Sequence, residues 1–156
     1  MTLPGNPAAL VLACLLLAAP DGRGAEPARL LAGFARAHAM IETRQVCHLL
    51  DIYLARTQEE RSQGLMYIRE LGEFEGMLFQ TSQPVVASMW MKNTYIALDM
   101  LFIRANGTVA GIAASTTPFS ESTIRSGEPV TGVLELNGGF AARHGVRTGD
   151  RFQIIQ

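Results

Sequence analysis

Ala97-Leu98-Asp99-Met100-Leu101-Phe102-Ile103-Arg104-Ala105-Asn106-Gly107-Thr108-Val109-Ala110-Gly111-Ile112-Ala113-Ala114 is the stretch on which the fold turns. Two runs rich in apolar and β-branched residues, Ala97 to Ile103 and Thr108 to Ala114, flank a four-residue break ending in Asn-Gly. Such runs suit a pleated, half-buried surface. Asn and Gly both tolerate positive φ, so the pair closes a tight hairpin between them. A chain organised around this hairpin is a sheet protein.

The same signals recur outward in both directions. Upstream, Val46, His48, Leu50, Ile52 and Leu54 fall on one side of an extended segment, which predicts a first strand and a domain that begins near Ile41. Thr57-Gln58-Glu59-Glu60 is a capping box that starts a short helix, with Gly64 placed to end it. Gly76 to Gln80 and Val85 to Met91 read as two further strands. Downstream, Ser115 to Pro129 is rich in Ser, Thr and Pro and reads as a long exposed loop, the kind of segment that often carries a binding site. Val130 to Leu136 predicts a sixth strand, Gly138 to His144 a second short helix and Arg151 to Ile155 a seventh strand. Seven strands with two short helices imply a mainly β, α+β domain. A closed or nearly closed barrel is expected, because closure removes exposed strand edges.

Composition narrows the function. The chain has 156 residues, 17% of them charged, and a formal net charge of −1, which suits one compact domain and excludes a disordered charged tail. Arg residues are scattered from Arg23 to Arg151 and Lys92 is the only lysine, so there is no cationic stripe to follow a phosphate backbone and nucleic acid is not an expected partner. Ala8 to Ala19 form an apolar run of twelve residues, too short for a bilayer and suited to the core of a secretory signal over residues 1–25. With the signal removed, no transmembrane span remains, and the expected location is periplasmic or secreted. Val11-Leu12-Ala13-Cys14 resembles a lipid-attachment box, but apolar residues continue past Cys14, which argues against an anchor there. Cys47 would then be the single remaining cysteine, read as a small buried hydrophobe. Residues 26–40 read either as a linker or as a short helix, since Leu30, Leu31, Phe34 and His38 recur at helical spacing.

Several stretches together carry a family resemblance: Arg61-Ser62-Gln63-Gly64-Leu65-Met66, Gly76-Met77-Leu78-Phe79, Trp90-Met91-Lys92-Asn93-Thr94 running into Leu98-Asp99-Met100, Leu134-Glu135-Leu136-Asn137-Gly138-Gly139 and Gly149-Asp150. In order and spacing they resemble the bacterial and archaeal family called domain of unknown function 192, over about Ile41 to Phe152. The resemblance implies a small β-rich domain, often exported, with no established activity. Tyr67-Ile68-Arg69 departs from the family pattern, which places an Arg sooner.

Familiar catalytic signatures are absent: there is no Gly-x-Ser-x-Gly, His-Glu-x-x-His, Cys-x-x-Cys or phosphate-binding Gly-rich loop with Lys. Cys47 and His48 are strand neighbours pointing to opposite faces, so they do not form a dyad. His144 ends the second helix, where a cation suits the dipole. The polar candidates are Arg61, Lys92, Asn93, Thr94, Asp99 and Glu135, with Trp90 beside them. Asp99 interrupts an apolar run and needs a partner if buried, with Arg61 or Lys92 the expected one. If the group is functional, Arg61 holds an anion with its two-pronged guanidinium, and Asp99 or Glu135 serves as general base. Met89 and Met91 share a strand face, and soft thioethers select Cu(I), so a copper site there is a further alternative to core packing. No cofactor is implied. The leading expectation is an exported module that binds a small molecule or a protein partner at the Lys92 to Thr94 turn, Trp90 and the Ser115 to Pro129 loop; an enzyme built on Asp99 or Glu135 with Arg61 or Lys92 is the alternative.

Overall fold

The computed structural model describes residues 29–155. The secretory-signal reading and the question of a lipid at Cys14 lie outside them. Seven strands form one sheet in the order β5-β4-β6-β3-β2-β1-β7, curled into a half-barrel: β1 Ala35–Glu42, β2 Cys47–Ala55, β3 Glu75–Met89, β4 Leu98–Ile103, β5 Val109–Ala113, β6 Ile124–Asn137 and β7 Arg151–Ile155. Two short helices, α1 Gln58–Gln63 and α2 Phe140–His144, complete the mainly β domain. All neighbouring strands are antiparallel except β2 and β3.

The expectation of a linker or helix over residues 26–40 is corrected. A 3-10 turn at Arg29–Leu31 is followed directly by β1, which pairs with β2 from Ala35 opposite Leu54 to Glu42 opposite Cys47 and with β7 on its other side. Ala35, Ala37, Ala39 and Ile41 alternate with more exposed residues, a period of two written largely in alanine. The two strands expected at Gly76 to Gln80 and Val85 to Met91 are one strand, β3, whose register against β6 shifts between Gln80 and Val85 and again between Val86 and Ser88. β6 likewise starts at Ile124, inside the stretch expected to be loop.

The parallel pairing of β2 and β3 requires a crossover, and residues 56–74 supply it. Its helix has the full capping box: the Glu60 amide donates to Thr57 Oγ1 (3.1 Å) and the Thr57 amide to Glu60 Oε2 (2.8 Å). The sheet therefore has apolar side chains on both faces. Inside the curl, Ile41, Leu50, Ile52, Leu101, Leu134 and Phe140 pack together; on the other face Tyr53, Leu65, Ile68, Met77, Met100 and Val133 lie with the crossover. The curl is drawn together at one end: the Val109 amide donates to Asp150 O (2.8 Å), the Gly149 amide to Val109 O (2.9 Å) and the Phe152 amide to Gly107 O (2.8 Å). Among the described residues no helix is long and apolar enough to cross a membrane.

Candidate functional site

β3 ends at Met89, and the segment beyond it meets two other loops that carry strained backbone. Tyr67 (φ 66°), Asn93 (φ 54°) and Phe119 (φ 62°) all adopt the left-handed conformation, which side chains other than glycine rarely occupy. Their loops are stitched together by the backbone. The Tyr67 amide donates to Asn93 O (2.8 Å), the Phe119 amide to Thr94 O (3.2 Å) and the Met91 amide to Ser120 O (2.8 Å). Each such residue costs on the order of 1–3 kcal/mol and persists only where its surroundings hold it.

The strain sets out a ledge of aromatic rings facing solvent. Tyr67 is 47% exposed, Phe119 58% and Trp90 54%. Tyr95 lies between Tyr67 and Phe119, its ring centroid 6.0 Å from the first and 5.2 Å from the second. Two cations lie over these rings: the Arg69 guanidinium 4.8 Å from the Tyr95 centroid and Lys92 Nζ 5.7 Å from that of Trp90. Beneath the ledge Thr94 is buried, its hydroxyl donating to Lys92 O (3.2 Å), and the Asn93 side-chain amide donates to Met66 Sδ (3.8 Å). Trp90, Lys92, Asn93 and Thr94 thus meet as the sequence suggests, and Ser115–Thr123 of the expected loop adjoins them. Tyr67 and Arg69 stand out in the sequence only as a departure from the family pattern, and Tyr95 and Phe119 not at all, because isolated aromatics in loops carry no periodic signal.

The other candidates do not converge. Asp99 is fully buried, and its partners are three backbone amides rather than Arg61 or Lys92: Ser115 (2.7 Å) and Gly139 (2.8 Å) donate to Oδ1, and Ala141 (2.8 Å) donates to Oδ2. That corrects the expected ion pair. The donors come from the start of α2 and the end of the β5 connection, so the carboxylate pins both to β4. Glu135, 4% exposed, lies between Met77 on β3 and Met100 on β4, and burial pushes its carboxyl up to about 8. Asp99 is paired with Leu136, one residue further along β6, so the two carboxyls occupy opposite faces of the sheet. They cannot share a substrate as acid and base. Arg61 sits on α1, away from both, beside a groove described below.

Met91 is buried, with Sδ accepting from the Thr116 hydroxyl (3.1 Å), whereas Met89 lies half-buried at the groove. Among the described residues no three His, Cys, Asp or Glu gather as a metal site would require. His48 and His144 do meet, ring centroids 4.9 Å apart, with His48 Nε2 3.1 Å from the His144 carbonyl and His144 Nε2 2.9 Å from Glu73. Burial chiefly lowers the His48 pKa. His144 is therefore tied to a glutamate as well as ending its helix. Cys47 is buried at the start of β2, as expected of a small hydrophobe.

The chain is 43% identical to a protein from Sinorhizobium meliloti 1021 described as a proposed transcription regulator, with 78% of this chain and 95% of that one covered at a TM-score of 0.75. It is 38% identical to a protein of unknown function from Novosphingobium aromaticivorans DSM 12444, covering 83% and 93% of the two chains at a TM-score of 0.77. No curated protein matches. The model of the family DUF192, described as "Uncharacterized ACR", matches residues 39–154, the whole sheet but the first half of β1 and the last residue of β7. By that match, this chain belongs to the domain of unknown function 192 family.

Proposed function

We propose that the protein is an exported binding module, periplasmic or secreted, whose small ligand or protein partner seats on the aromatic ledge formed by Trp90, Tyr67, Tyr95 and Phe119. The observation that carries the reading is the pairing of strain with exposure. Phe119 and Tyr67 occupy left-handed backbone and yet present their rings to water, an arrangement that costs stability and contributes little to the core. Rigid aromatic faces are effective contact surface because they lose little conformational freedom on binding. Arg69 and Lys92 add positive charge beside the rings and favour a ligand carrying an anionic or electron-rich group.

An enzyme that uses Asp99 and Glu135 is disfavoured by their places on opposite faces and by the three amides that occupy Asp99. Regulation of transcription, the role attached to the Sinorhizobium relative, would need a phosphate-following surface, and the scattered arginines and net charge of −1 argue against one.

Thermal-shift screening against small-molecule libraries and cell-envelope extracts tests the proposal. A ligand at a hundred times its dissociation constant adds about 2.7 kcal/mol to stability. The shift is expected to vanish in Trp90→Ala and Phe119→Gly, and Phe119→Gly alone is expected to leave the unliganded protein as stable as before or more so, since glycine relieves the left-handed strain. A hit that survives both substitutions would remove the ledge from consideration.

A further inference from the structure

A second site lies along the outer halves of β3 and β6. There the register slips between Gln80 and Val85 and between Val86 and Ser88 open a groove of about 290 Å³ beside α1. Its walls are chiefly apolar, with Phe79, Val85, Val86, Met89, Val130 and Val133 contributing side chains. Val85 and Val86 are consecutive and both largely exposed. They pair in unbroken register with Val130 and Pro129 of β6, so their side chains leave opposite faces of the strand, Val85 on the face it shares with Val130.

Only one charged residue lines the groove, Arg61. Among the described residues Arg36, Arg104 and Arg143 form ion pairs with Glu75, Glu128 and Glu73, and Arg61 is among the arginines that form none. Its helix neighbour Glu60 is committed to the cap, accepting from the Arg56 and Thr57 amides. The guanidinium therefore stands at an apolar groove with its two-pronged donor face unused.

We propose that this groove binds a free carboxylic acid with an apolar tail, the carboxylate held by Arg61 and the tail laid over Val85, Val130 and Met89. Charge complementarity selects the head: a single cation with no acidic residue in the lining accepts one anionic group and repels a cationic one. The lining selects the tail, since a purely polar acid would leave the valines in water. The volume lies at the lower limit of small-ligand sites and suits a medium-length chain rather than a bulky lipid. This site does not depend on the aromatic ledge.

The probe is sodium decanoate, kept below its micelle concentration and titrated into the full chain while backbone amide resonances are followed. Shifts are expected to concentrate on Phe79, Val85 to Met89 and Val130 to Val133. Acetate should bind at least tenfold more weakly for want of a tail, and decyltrimethylammonium at least tenfold more weakly for want of the anion. Arg61→Gln, a change on an exposed helix that leaves the fold intact, should weaken decanoate binding about tenfold, whereas Phe119→Gly should leave it unchanged. Equal binding by Arg61→Gln and the wild type, equal binding of the cationic analogue, or shifts centred elsewhere would each overturn the assignment.

Discussion

Glu135 and Asp99 show how one charge class meets two fates inside a single sheet. Asp99 gathers three backbone amides, whereas Glu135 faces two methionines across its neighbouring strands. The sign of the resulting pH dependence follows from the raised value of about 8. An unfolded glutamate ionises near pH 4.3. Between that value and about 8 the unfolded chain has released its proton while the folded chain retains it, so stability is full below the window and falls as pH rises through it. Glu135→Gln removes the ionisation. Urea denaturation from pH 5 to pH 8 should show that the variant lacks a loss, on the order of a few kcal/mol, that the wild type suffers relative to it. Parallel losses in the two proteins would mean that Glu135 is solvated. The sequence reveals that a glutamate sits in an apolar strand; which face it takes, and who its neighbours are, depends on the pairing of β3, β4 and β6 and is not written locally.

At the scale of elements, the strands with bulky alternation were readable and those without it were not. β7 was expected from Arg151 to Ile155 and is found there, and the capping box of α1 is formed atom for atom. β1 escaped because alanine marks its buried side, and alanine is as much at home in helices and linkers. β3 was split because Gln80 to Pro84 are polar and exposed, although the strand runs through them with a bulge. The hairpin after β4 also differs in detail: Gly107 alone takes positive φ, while Asn106 Oδ1 accepts from the Thr108 amide (3.0 Å). The function of Asp99 belongs to this scale, because it joins α2 and the β5 connection to β4. Asp99→Asn puts an NH2 group against backbone donors and should destabilise the protein by about 3 kcal/mol. Amides of Gly139 and Ala141 should exchange faster than those of β4. If those amides keep their protection, the carboxylate is not what holds α2.

Over the whole molecule, the half-barrel depends on how its two edges meet. The Gly107 carbonyl accepts from the Phe152 amide, and a Cβ added at Gly107 would lie 2.7 Å from the Phe152 carbonyl oxygen, on a backbone of φ 83°. Gly107→Ala should therefore cost more than 1 kcal/mol, by both strain and crowding. Hydrogen exchange should locate the damage at Val109, Gly149 and Phe152, with the β3 and β6 amides unaffected. Damage confined to the hairpin would show that the edges are held independently. That seven strands curl into one sheet was legible from their number, but the sheet is a half-barrel rather than a closed barrel, and the order in which the strands lie was not legible. The sheet places β6 between β3 and β4, and that choice rests on burial across distant segments.

The last strand to be made, β7, pairs with the first, β1, and touches β5 across the open side. Until it arrives, both seams stay unsealed, and a growing or translocating chain exposes ready-made borders for pairing with other chains. Synthesis from the amino end thus leaves both seams open until β7 has been made, and contacts that reach from β1 to β7 make that step slow. Newly made molecules would need shielding from one another during this interval, and deleting Arg151–Ile155 should leave a sticky half-shell.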